Sequence, residues 1–452
     1  MVRSLEFGAA RLVGALSRRL GRGGGTTLPG KLIWKLDPGA VDVLARRLVD
    51  GSVIVSATNG KTTTTGMVAA VIGHGNGLAW NRSGANLASG VTSTLLARPH
   101  ARRGLFEIDE FALPALAVRL HPRVLTLSNL FRDQLDRYGE LEHIAERWRA
   151  MLATLPRSTT LVVNGDDPLV AALADGREGA VRYGIDDPAA GHAVLQHAAD
   201  SKHCLRCGAP YRYAVAYVGH LGDYRCPACG HGRPPLDVVA RDVKLEGLER
   251  ASFDLEARGV TTRIELGLGG LYNVYNALAA AATCLAAGVS AQAVAERLAG
   301  FEAAFGRQER LSAEGRDVRL LLIKNPAGAN EVVRTLVAGG VPGTLVVALN
   351  DAIADGRDVS WIWDVDFEPL LERARHVIVS GDRAAELALR FTYAGFPRDR
   401  LEVVPSLTAA FDAGISSTPE GERLAVLPTY TAMLRLRATL AARGLVRPYW
   451  ET

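Results

Sequence analysis

A short run of residues, Ala57-Thr58-Asn59-Gly60-Lys61-Thr62, carries the residue types that bind a triphosphate. A glycine-containing turn lets backbone N–H groups approach phosphate oxygens, and the N-terminal end of the next helix adds positive charge. In such a loop Lys61 reaches the β- and γ-phosphates and Thr62 holds Mg²⁺. The run follows an apolar strand, Ser52 to Ser56, and precedes helical spacing from Thr63 to Ile72. The sequence therefore predicts an ATP site.

The run departs from the generic phosphate loop. That pattern has a further glycine a few residues upstream, whereas here Ser56 and Ala57 precede Thr58. The match is therefore to a shorter variant, Thr-Asn-Gly-Lys-Thr. Because a Gly-Lys-Thr tripeptide often arises by chance, its place between a strand and a helix carries the prediction.

Acidic residues end another predicted strand. Glu107-Ile108-Asp109-Glu110 closes an apolar run that begins at Gly104. Carboxylates at the carboxyl end of a strand face the crevice in which open α/β sheets bind ligands. Mg²⁺ prefers hard oxygen ligands and shares them with phosphates. Glu107 and Glu110 are therefore candidate magnesium ligands, with a solvated acidic loop as the alternative.

Four of the five cysteines form two Cys-x-x-Cys pairs, separated by eighteen residues. Together they offer four thiolates, which form a closed tetrahedral shell for structural Zn²⁺. The predicted ligands are Cys204, Cys207, Cys226 and Cys229. A closed shell cannot activate water, so no catalysis is expected from it. Because the segment lacks a strong basic patch, we interpret it as a folding staple and expect no nucleic-acid partner.

Strand and helix patterns alternate over most of the chain. Short apolar runs, each followed by a polar turn and a helical pattern, predict a largely parallel sheet with helices on both faces. Residues 235–266 instead resemble antiparallel strands, and Leu271 to Gly288 is an Ala-rich helix. The alternation restarts near Leu320, which predicts a second, doubly wound α/β domain.

We therefore predict an α/β protein in three parts. Residues 1–50 form a helical and loop segment of the ATP domain. Residues 51–305 form the central phosphate-loop ATP domain, with a parallel-rich sheet and the zinc ribbon inserted at about 200–234. Residues 306–452 form the C-terminal doubly wound α/β domain.

The composition is that of an ordinary soluble globular protein. Of the 452 residues, 48% are hydrophobic and 22% charged, and the formal net charge is +4. That small excess does not indicate nucleic acid and is compatible with anionic substrates. Met1 to Gly25 is Arg-rich but lacks the apolar core of a signal peptide; it is either a surface helix or a basic helix near anionic lipid. No apolar run is long enough to span a bilayer, so we expect a cytoplasmic protein.

The phosphate loop and three further motifs, in the same order, resemble the Mur ligase family, which includes the folylpolyglutamate synthases. The motifs are Asn164–Pro168, Asn273–Ala277, and Gly306-Arg307 with Glu309. The resemblance implies that Asn276 lies by the adenine, that Arg307 stands at the entry to the C-terminal domain, and that Glu107 binds Mg²⁺. The implied nucleotide-binding residues are Thr58, Asn59, Gly60, Lys61, Thr62, Thr63, Asn276 and Arg307.

Four segments make the likeness closest to the MurT branch, the ligase subunits of lipid II isoglutaminyl synthase. They are Asn81–Asn86, Leu130–Gly139, Lys324–Gly328 and Asp358–Asp364. The resemblance implies ATP-dependent amidation of the D-glutamate α-carboxyl of the lipid II stem peptide to D-isoglutamine, a step of peptidoglycan synthesis. The lipid-linked substrate would bring the protein to the cytoplasmic face of the membrane.

Gln134 departs from the wider ligase family, which usually carries a histidine there for a second Mg²⁺. Glutamine is a neutral and weaker ligand, so a second metal site of that kind is not expected. No lysine matches the one that many of those ligases carbamylate. The glutamine is typical of the MurT branch.

The implied amidation needs ammonia as well as ATP. A carboxylate becomes electrophilic as an acyl phosphate, formed at the γ-phosphate, where Lys61, Glu107 and Mg²⁺ stabilise the developing charge. Ammonia is largely protonated near neutral pH and is commonly released from glutamine beside the site. Glutamine hydrolysis usually needs a nucleophilic cysteine. Four cysteines are assigned to metal and Cys284 to helix packing, so we predict no glutaminase within this chain.

The MurT resemblance supplies a glutaminase in trans, a GatD-type subunit docked on the C-terminal domain. It also implies that this domain lends an aspartate to complete the Cys–His pair of the glutaminase. The matching segment, Asn350 to Asp358, offers Asp355 and Asp358, which the sequence does not separate. A surface loop that caps a helix is the alternative reading for either residue.

Two other functions stay open at this stage. The first is a stand-alone ligase that adds an amino acid to a carboxylate, as Mur and folylpolyglutamate enzymes do. The second is a non-catalytic module that binds a nucleotide or nucleic acid and is organised by the ribbon.

Overall fold

The computed structural model describes residues 27–73, 77–82, 84–133, 140–196, 199–301 and 307–447. Two α/β lobes, each built on its own sheet, and a small two-stranded cysteine module make up these residues. We call them the N-terminal lobe, the C-terminal lobe and the ribbon. The predicted fold class is therefore confirmed. The Arg-rich segment Met1 to Gly25 lies outside the described residues.

The N-terminal lobe has a nine-stranded sheet in the order β11-β10-β9-β6-β5-β4-β1-β3-β2. Its strands pair in parallel except for β9, β10 and β11, which pair antiparallel with one another as predicted. The strands are β1 Ser52–Ser56, β2 Leu78–Trp80, β3 Arg103–Glu107, β4 Pro122–Leu127, β5 Thr160–Asn164, β6 Val181–Ile185, β9 Val238–Glu246, β10 Arg250–Ala257 and β11 Val260–Leu266. The central strands are apolar on both faces because helices cover both sides.

The helices of this lobe are α1 Leu28–Leu36, α2 Ala40–Ala45, α3 Lys61–Ile72, α4 Ala88–Ala97, α5 Leu113–Leu120, α6 Leu141–Thr154, α7 Pro168–Ala171, α8 Leu271–Ala286 and α9 Ala291–Leu298. One core packs α1, α2 and α4 to α7 on one sheet face, and a second packs α3, α8 and α9 on the other. Helix α8 ends two residues before the predicted Gly288, which adopts a left-handed φ of +91°. Its small alanines let it lie flat against the sheet, and Cys284 is fully buried there.

The ribbon lies between β6 and β9. Its strands, β7 Arg212–Val218 and β8 Leu221–Arg225, form an antiparallel hairpin. The predicted insertion thus has a sheet of its own and leaves the order of the large sheet undisturbed.

The C-terminal lobe has a six-stranded sheet in the order β12-β13-β17-β14-β15-β16, parallel except for β12. Its strands are β12 Arg307–Ala313, β13 Arg316–Leu321, β14 Thr344–Ala348, β15 His376–Ser380, β16 Leu401–Val403 and β17 Arg423–Pro428. Its helices are α10 Pro326–Gly339, α11 Glu368–Leu371, α12 Ala384–Tyr393, α13 Leu407–Ser417 and α14 Tyr430–Ala442. Helices α10 to α12 pack on one face and α13 and α14 on the other, as expected of a doubly wound sheet.

At one of the contacts between the two lobes, backbone meets backbone with charged side chains beside it. Gly247, in the turn between β9 and β10, lies against Gly339 at the end of α10. A Cβ atom on Gly339 would come within 2.7 Å of the Gly247 Cα. Close by, the Glu249 carboxylate pairs with Arg319 at 2.6 Å and Arg423 at 2.9 Å. The interface therefore excludes side chains at the glycine contact.

None of the helices in the described residues combines the length and the apolar character needed to cross a bilayer.

We expect Gly339→Ala to lower the free energy of unfolding by about 1–3 kcal/mol, because the added methyl group meets backbone that has no side chain to move aside. Chemical denaturation measures this difference. Gly267→Ala is the matched control, since a Cβ at that glycine meets no atom within 4 Å. Equal stability of both variants would contradict the contact.

Candidate functional site

The phosphate loop lies between β1 and α3, as predicted. Gly60 precedes α3 with φ at +83°. A Cβ on this residue would lie 1.9 Å from Asn276 Oδ1. The position therefore requires glycine twice over, for its backbone conformation and for its contact with α8.

Lys61 begins α3 with its side chain folded into the loop. Its Nζ lies 2.7 Å from Glu110 Oε2 and also donates to the Ala57 carbonyl oxygen. Burial alone would lower the pKa of Lys61, but the charges of Glu110 and Asp109 outweigh it and hold that pKa above its ordinary value. Burial likewise opposes ionisation of Glu110, while Lys61 and Lys324 lower the pKa of that carboxyl. The pair is thus ionic within the protein interior.

Thr62 and Glu107 are brought together at the carboxyl end of β3. The Thr62 hydroxyl donates to Glu107 Oε2 at 2.8 Å, and Asn86 Nδ2 donates to Glu107 Oε1 at 3.2 Å. Asn81 fixes the Glu107 backbone by accepting from its N–H at 2.9 Å and donating to its carbonyl oxygen at 2.7 Å. A hydroxyl and a carboxylate side by side suit Mg²⁺, which prefers hard oxygen ligands. Glu110, the second predicted magnesium ligand, contacts Lys61 and not Thr62.

The other predicted nucleotide-binding residues lie in the loop or beside it. Asn276, near the start of α8, accepts from the Thr64 hydroxyl at 3.4 Å and donates to Asn273 Oδ1 at 3.1 Å. Thr58 and Thr63 are buried within the loop and the first turn of α3. Arg307 opens β12, but its side chain lies outside the described part of the structure, as do Gln134 to Gly139.

A loop after β4, residues 129–133, forms one wall of the site. This loop was given no role in the site at the sequence level. Asn129 Oδ1 accepts from the Asn59 N–H at 2.9 Å, and Asn129 Nδ2 donates to the Asn59 carbonyl oxygen at 3.1 Å. The Phe131 N–H donates to Thr58 Oγ1 at 3.1 Å. We call this segment the wall loop. It holds the phosphate loop in place through these three hydrogen bonds and a fourth, from the Thr58 N–H to the Asn129 carbonyl oxygen at 3.0 Å.

The C-terminal lobe contributes two more residues, both passed over at the sequence level. Lys324 Nζ lies 2.9 Å from the Thr58 carbonyl oxygen and 2.6 Å from Asp133 Oδ2. Burial raises the pKa of Asp133, against the pull of Lys324. Asn325 and Asn59 exchange amide hydrogen bonds of 3.0 and 3.2 Å. These residues belong to the MurT-like segment that begins at Lys324. That likeness is the sequence feature from which their place in the site could have been predicted.

The structure separates the two candidate aspartates of the C-terminal lobe. Asp355 is buried and accepts from the Thr431 N–H at 2.8 Å and from the Thr431 hydroxyl, and burial raises its pKa. It therefore caps α14. Asp358 is exposed and accepts from the Ser360 N–H at 2.8 Å. Hydrogen bonds from the Ser360 side chain and backbone lower the pKa of Asp358.

A third carboxylate of the same segment was missed at the sequence level. Asp351 follows β14 almost directly and lies 3.2 Å from Arg383. Its carboxylate is 36% exposed. The carboxyl ends of β14 and its neighbour β17 are where a doubly wound sheet presents ligand-binding groups. Asp351 therefore joins Asp358 as an accessible candidate for the aspartate that a glutaminase would use.

The four ribbon cysteines converge. Their Sγ atoms all lie within 4.8 Å of one another, with Cys204 and Cys229 at 3.5 Å and Cys207 and Cys226 at 3.4 Å. Zn–S bonds of about 2.3 Å in a tetrahedron put thiolates about 3.8 Å apart, so the cluster fits one zinc ion. Such an ion would supply structural cross-linking between the two pairs.

Comparison with known proteins points in the same direction. Residues 55–221 match the Mur ligase middle domain, and residues 322–433 match the MurT ligase C-terminal domain. The chain is 34% identical, over 95% of each chain, to the lipid II isoglutaminyl synthase (glutamine-hydrolyzing) subunit MurT of Streptococcus pneumoniae. It is 32% identical to the Staphylococcus aureus subunit of the same name, over 85% of this chain and 86% of that one.

Solved structures with lower identity share the fold. A pseudomurein peptide ligase type C from Methanothermus fervidus superposes with a TM-score of 0.68 at 22% identity, over 89% of this chain and 80% of that one. A MurF structure from Acinetobacter baumannii gives 0.67 at 18% identity, over 92% and 81%.

We expect one zinc ion per chain in protein purified without chelator, as measured by elemental analysis. Cys226→Ser should remove it, because Cys226 is one of the four converging thiols. Cys284→Ser is the control: that cysteine is buried in α8 and should leave the zinc content unchanged. Zinc-free wild-type protein would overturn the assignment.

Proposed function

This chain belongs to the MurT family of Mur ligases, and we propose that it is the ATP-dependent ligase subunit that amidates the D-glutamate α-carboxyl of the lipid II stem peptide. The observation that carries the proposal is a phosphate loop that combines Lys61 with the Thr62–Glu107 pair and is contacted at Thr58 by Lys324 of a MurT-type C-terminal lobe. The product is the D-isoglutamine form of a peptidoglycan precursor. The proposed cofactors are ATP and Mg²⁺, with Zn²⁺ in the ribbon.

The residues of the loop support activation of a carboxylate by phosphoryl transfer. The substrate carboxylate would attack the γ-phosphate to give an acyl phosphate and ADP, and ammonia would then displace phosphate. Thr62 and Glu107, which share a hydrogen bond, would hold Mg²⁺, which when bound neutralises charge on the phosphates. Lys61 would exchange its Glu110 partner for phosphate oxygens, so its positive charge remains matched throughout.

Ammonia would come from a separate GatD-type glutaminase. Among the described residues, the cysteines are the ribbon four and Cys284, whose burial raises its thiol pKa far above the range of a nucleophile. The C-terminal lobe also exposes large apolar side chains in and after the aspartate segment. Ile353 is 69% exposed, and Trp363 and Tyr393 form an edge-on ring pair that is 47% and 75% exposed. Exposed apolar side chains of this size support a docked partner on this lobe.

The direct test is mass spectrometry of lipid II after incubation with ATP, Mg²⁺, glutamine and a GatD-type subunit. We expect one carboxyl hydroxyl replaced by an amino group, which fragmentation locates on D-glutamate. Lys61→Met should abolish the change because the γ-phosphate loses its buried cation. Lys244→Met, at an exposed lysine of β9, is the control. Product that forms without glutamine or partner, and carries an added amino acid, would instead favour the stand-alone ligase.

Asparagine variants test which aspartate serves the glutaminase. We expect Asp358→Asn or Asp351→Asn to abolish glutamine hydrolysis by the complex while the melting temperature stays unchanged, because both carboxylates are accessible. Asp355→Asn should lower stability by about 1 kcal/mol through the weakened cap of α14. If none of the three variants loses glutaminase activity, the hypothesis that this lobe supplies an aspartate to the glutaminase is wrong.

A further inference from the structure

The tip of the ribbon hairpin is buried against the N-terminal lobe, far from the exposed cysteines at its other end. His220, in the turn between β7 and β8, has no exposed side-chain surface. Its ring lies 4.7 Å from the Phe131 ring, centroid to centroid, and its Nε2 lies 3.4 Å from Asp167 Oδ2. The preceding Gly219 has φ at +58°, and a Cβ there would be 2.8 Å from the Phe131 ring. The turn is therefore fitted closely to this one place.

His220 contacts two residues: one belongs to the wall loop, and the other holds the wall loop in place. Phe131 is part of the wall loop and donates its N–H to Thr58 of the phosphate loop. Asp167 Oδ2 accepts from the Leu130 N–H at 2.9 Å, while its Oδ1 caps α7. One imidazole thus contacts the ring and the carboxylate that fix the wall loop, and the wall loop fixes Thr58 and Asn59.

The strand β7 that leads into this turn also contacts the C-terminal lobe. Arg334 Nη1 donates to the Tyr217 carbonyl oxygen at 3.0 Å. Arg334 lies on α10, and the residue that caps α10, Asn325, pairs with Asn59 of the phosphate loop. The hairpin tip is thus connected to the nucleotide loop by two routes, one in each lobe.

Stability is a poor reason for a histidine at this position. Among the described residues neither ring nitrogen has a hydrogen-bond partner of ordinary geometry. Burial alone would lower the pKa of His220, but the Asp167 carboxylate outweighs it and holds that pKa above its ordinary value. A buried charge pair of this kind often contributes less stability than apolar side chains of similar volume. The choice of histidine is better explained by what it holds in place.

We propose that His220 is a positioning residue for the nucleotide site: the ribbon hairpin inserts it under the wall loop and thereby sets the conformation of Thr58 and Asn59. This gives the ribbon a role beyond folding. The inference rests on the proposed function only in that the phosphate loop binds ATP; it needs neither lipid II nor the glutaminase.

The test is calorimetric measurement of ATP affinity for His220 variants of the full chain. His220→Ala removes the ring and its contact with Asp167, and we expect the ATP dissociation constant to rise about tenfold, or roughly 1.4 kcal/mol. His220→Phe keeps the ring contact with Phe131 but loses the Asp167 pair, so its affinity should fall between wild type and His220→Ala. Zinc content should stay at the wild-type value in both, because the four thiols are untouched.

Tyr213→Phe is the matched control within the same hairpin. It removes the hydrogen bond from the tyrosine hydroxyl to the Ser201 carbonyl oxygen, away from the wall loop. Its ATP affinity should equal that of wild type. If His220→Phe, the variant that keeps an aromatic ring at this position, binds zinc and keeps wild-type ATP affinity, the inference is overturned even where His220→Ala does not fold. Absence of ATP binding by the unaltered chain would overturn the proposed function as well, whereas failure of lipid II amidation alone would leave this inference standing.

Discussion

A lysine buried beside a phosphate loop must always have a negative partner, and this requirement organises the site. Lys61 is matched by Glu110 and Lys324 by Asp133, each within 2.7 Å. Because unpaired charges in the interior are strongly unfavourable, the buried Lys61 could bind a phosphate oxygen only by exchanging the Glu110 carboxylate for it.

The sheet topology explains why these groups meet. Strands β1 and β3 are neighbours and parallel, so the phosphate loop after one and the acidic residues after the other emerge at the same edge. Lys324 comes from the second sheet, where it follows β13 in the same manner. The site is therefore the meeting of two carboxyl-end edges, and neither lobe completes it alone.

The sequence predicted what depends on local spacing. The strand, loop and helix around Lys61 and the cluster of four cysteines follow from residues close in the chain or from a metal-ligand pattern. Thr62 and Glu107 were each predicted as magnesium ligands, but their hydrogen bond joins residues 45 positions apart. The contacts of Lys324 and Asn325 with the phosphate loop join residues 266 positions apart. No periodicity in a single sequence reports such a contact. The same holds for His220, since the length of the ribbon hairpin does not reveal which end is buried.

The glycine contact between the lobes is a point about which helix α10 could rotate. Gly339, at the end of the helix, touches Gly247 backbone to backbone, and the neighbouring Leu248 is buried in the core of the C-terminal lobe. Fourteen residues of helix separate that end from the Asn325 cap, a length of about 21 Å. A rotation of about 10° about the glycine end would move the cap by about 4 Å. That displacement would break the amide hydrogen bonds with Asn59 while the two glycines stayed in contact. The lobes would then separate first at the phosphate loop.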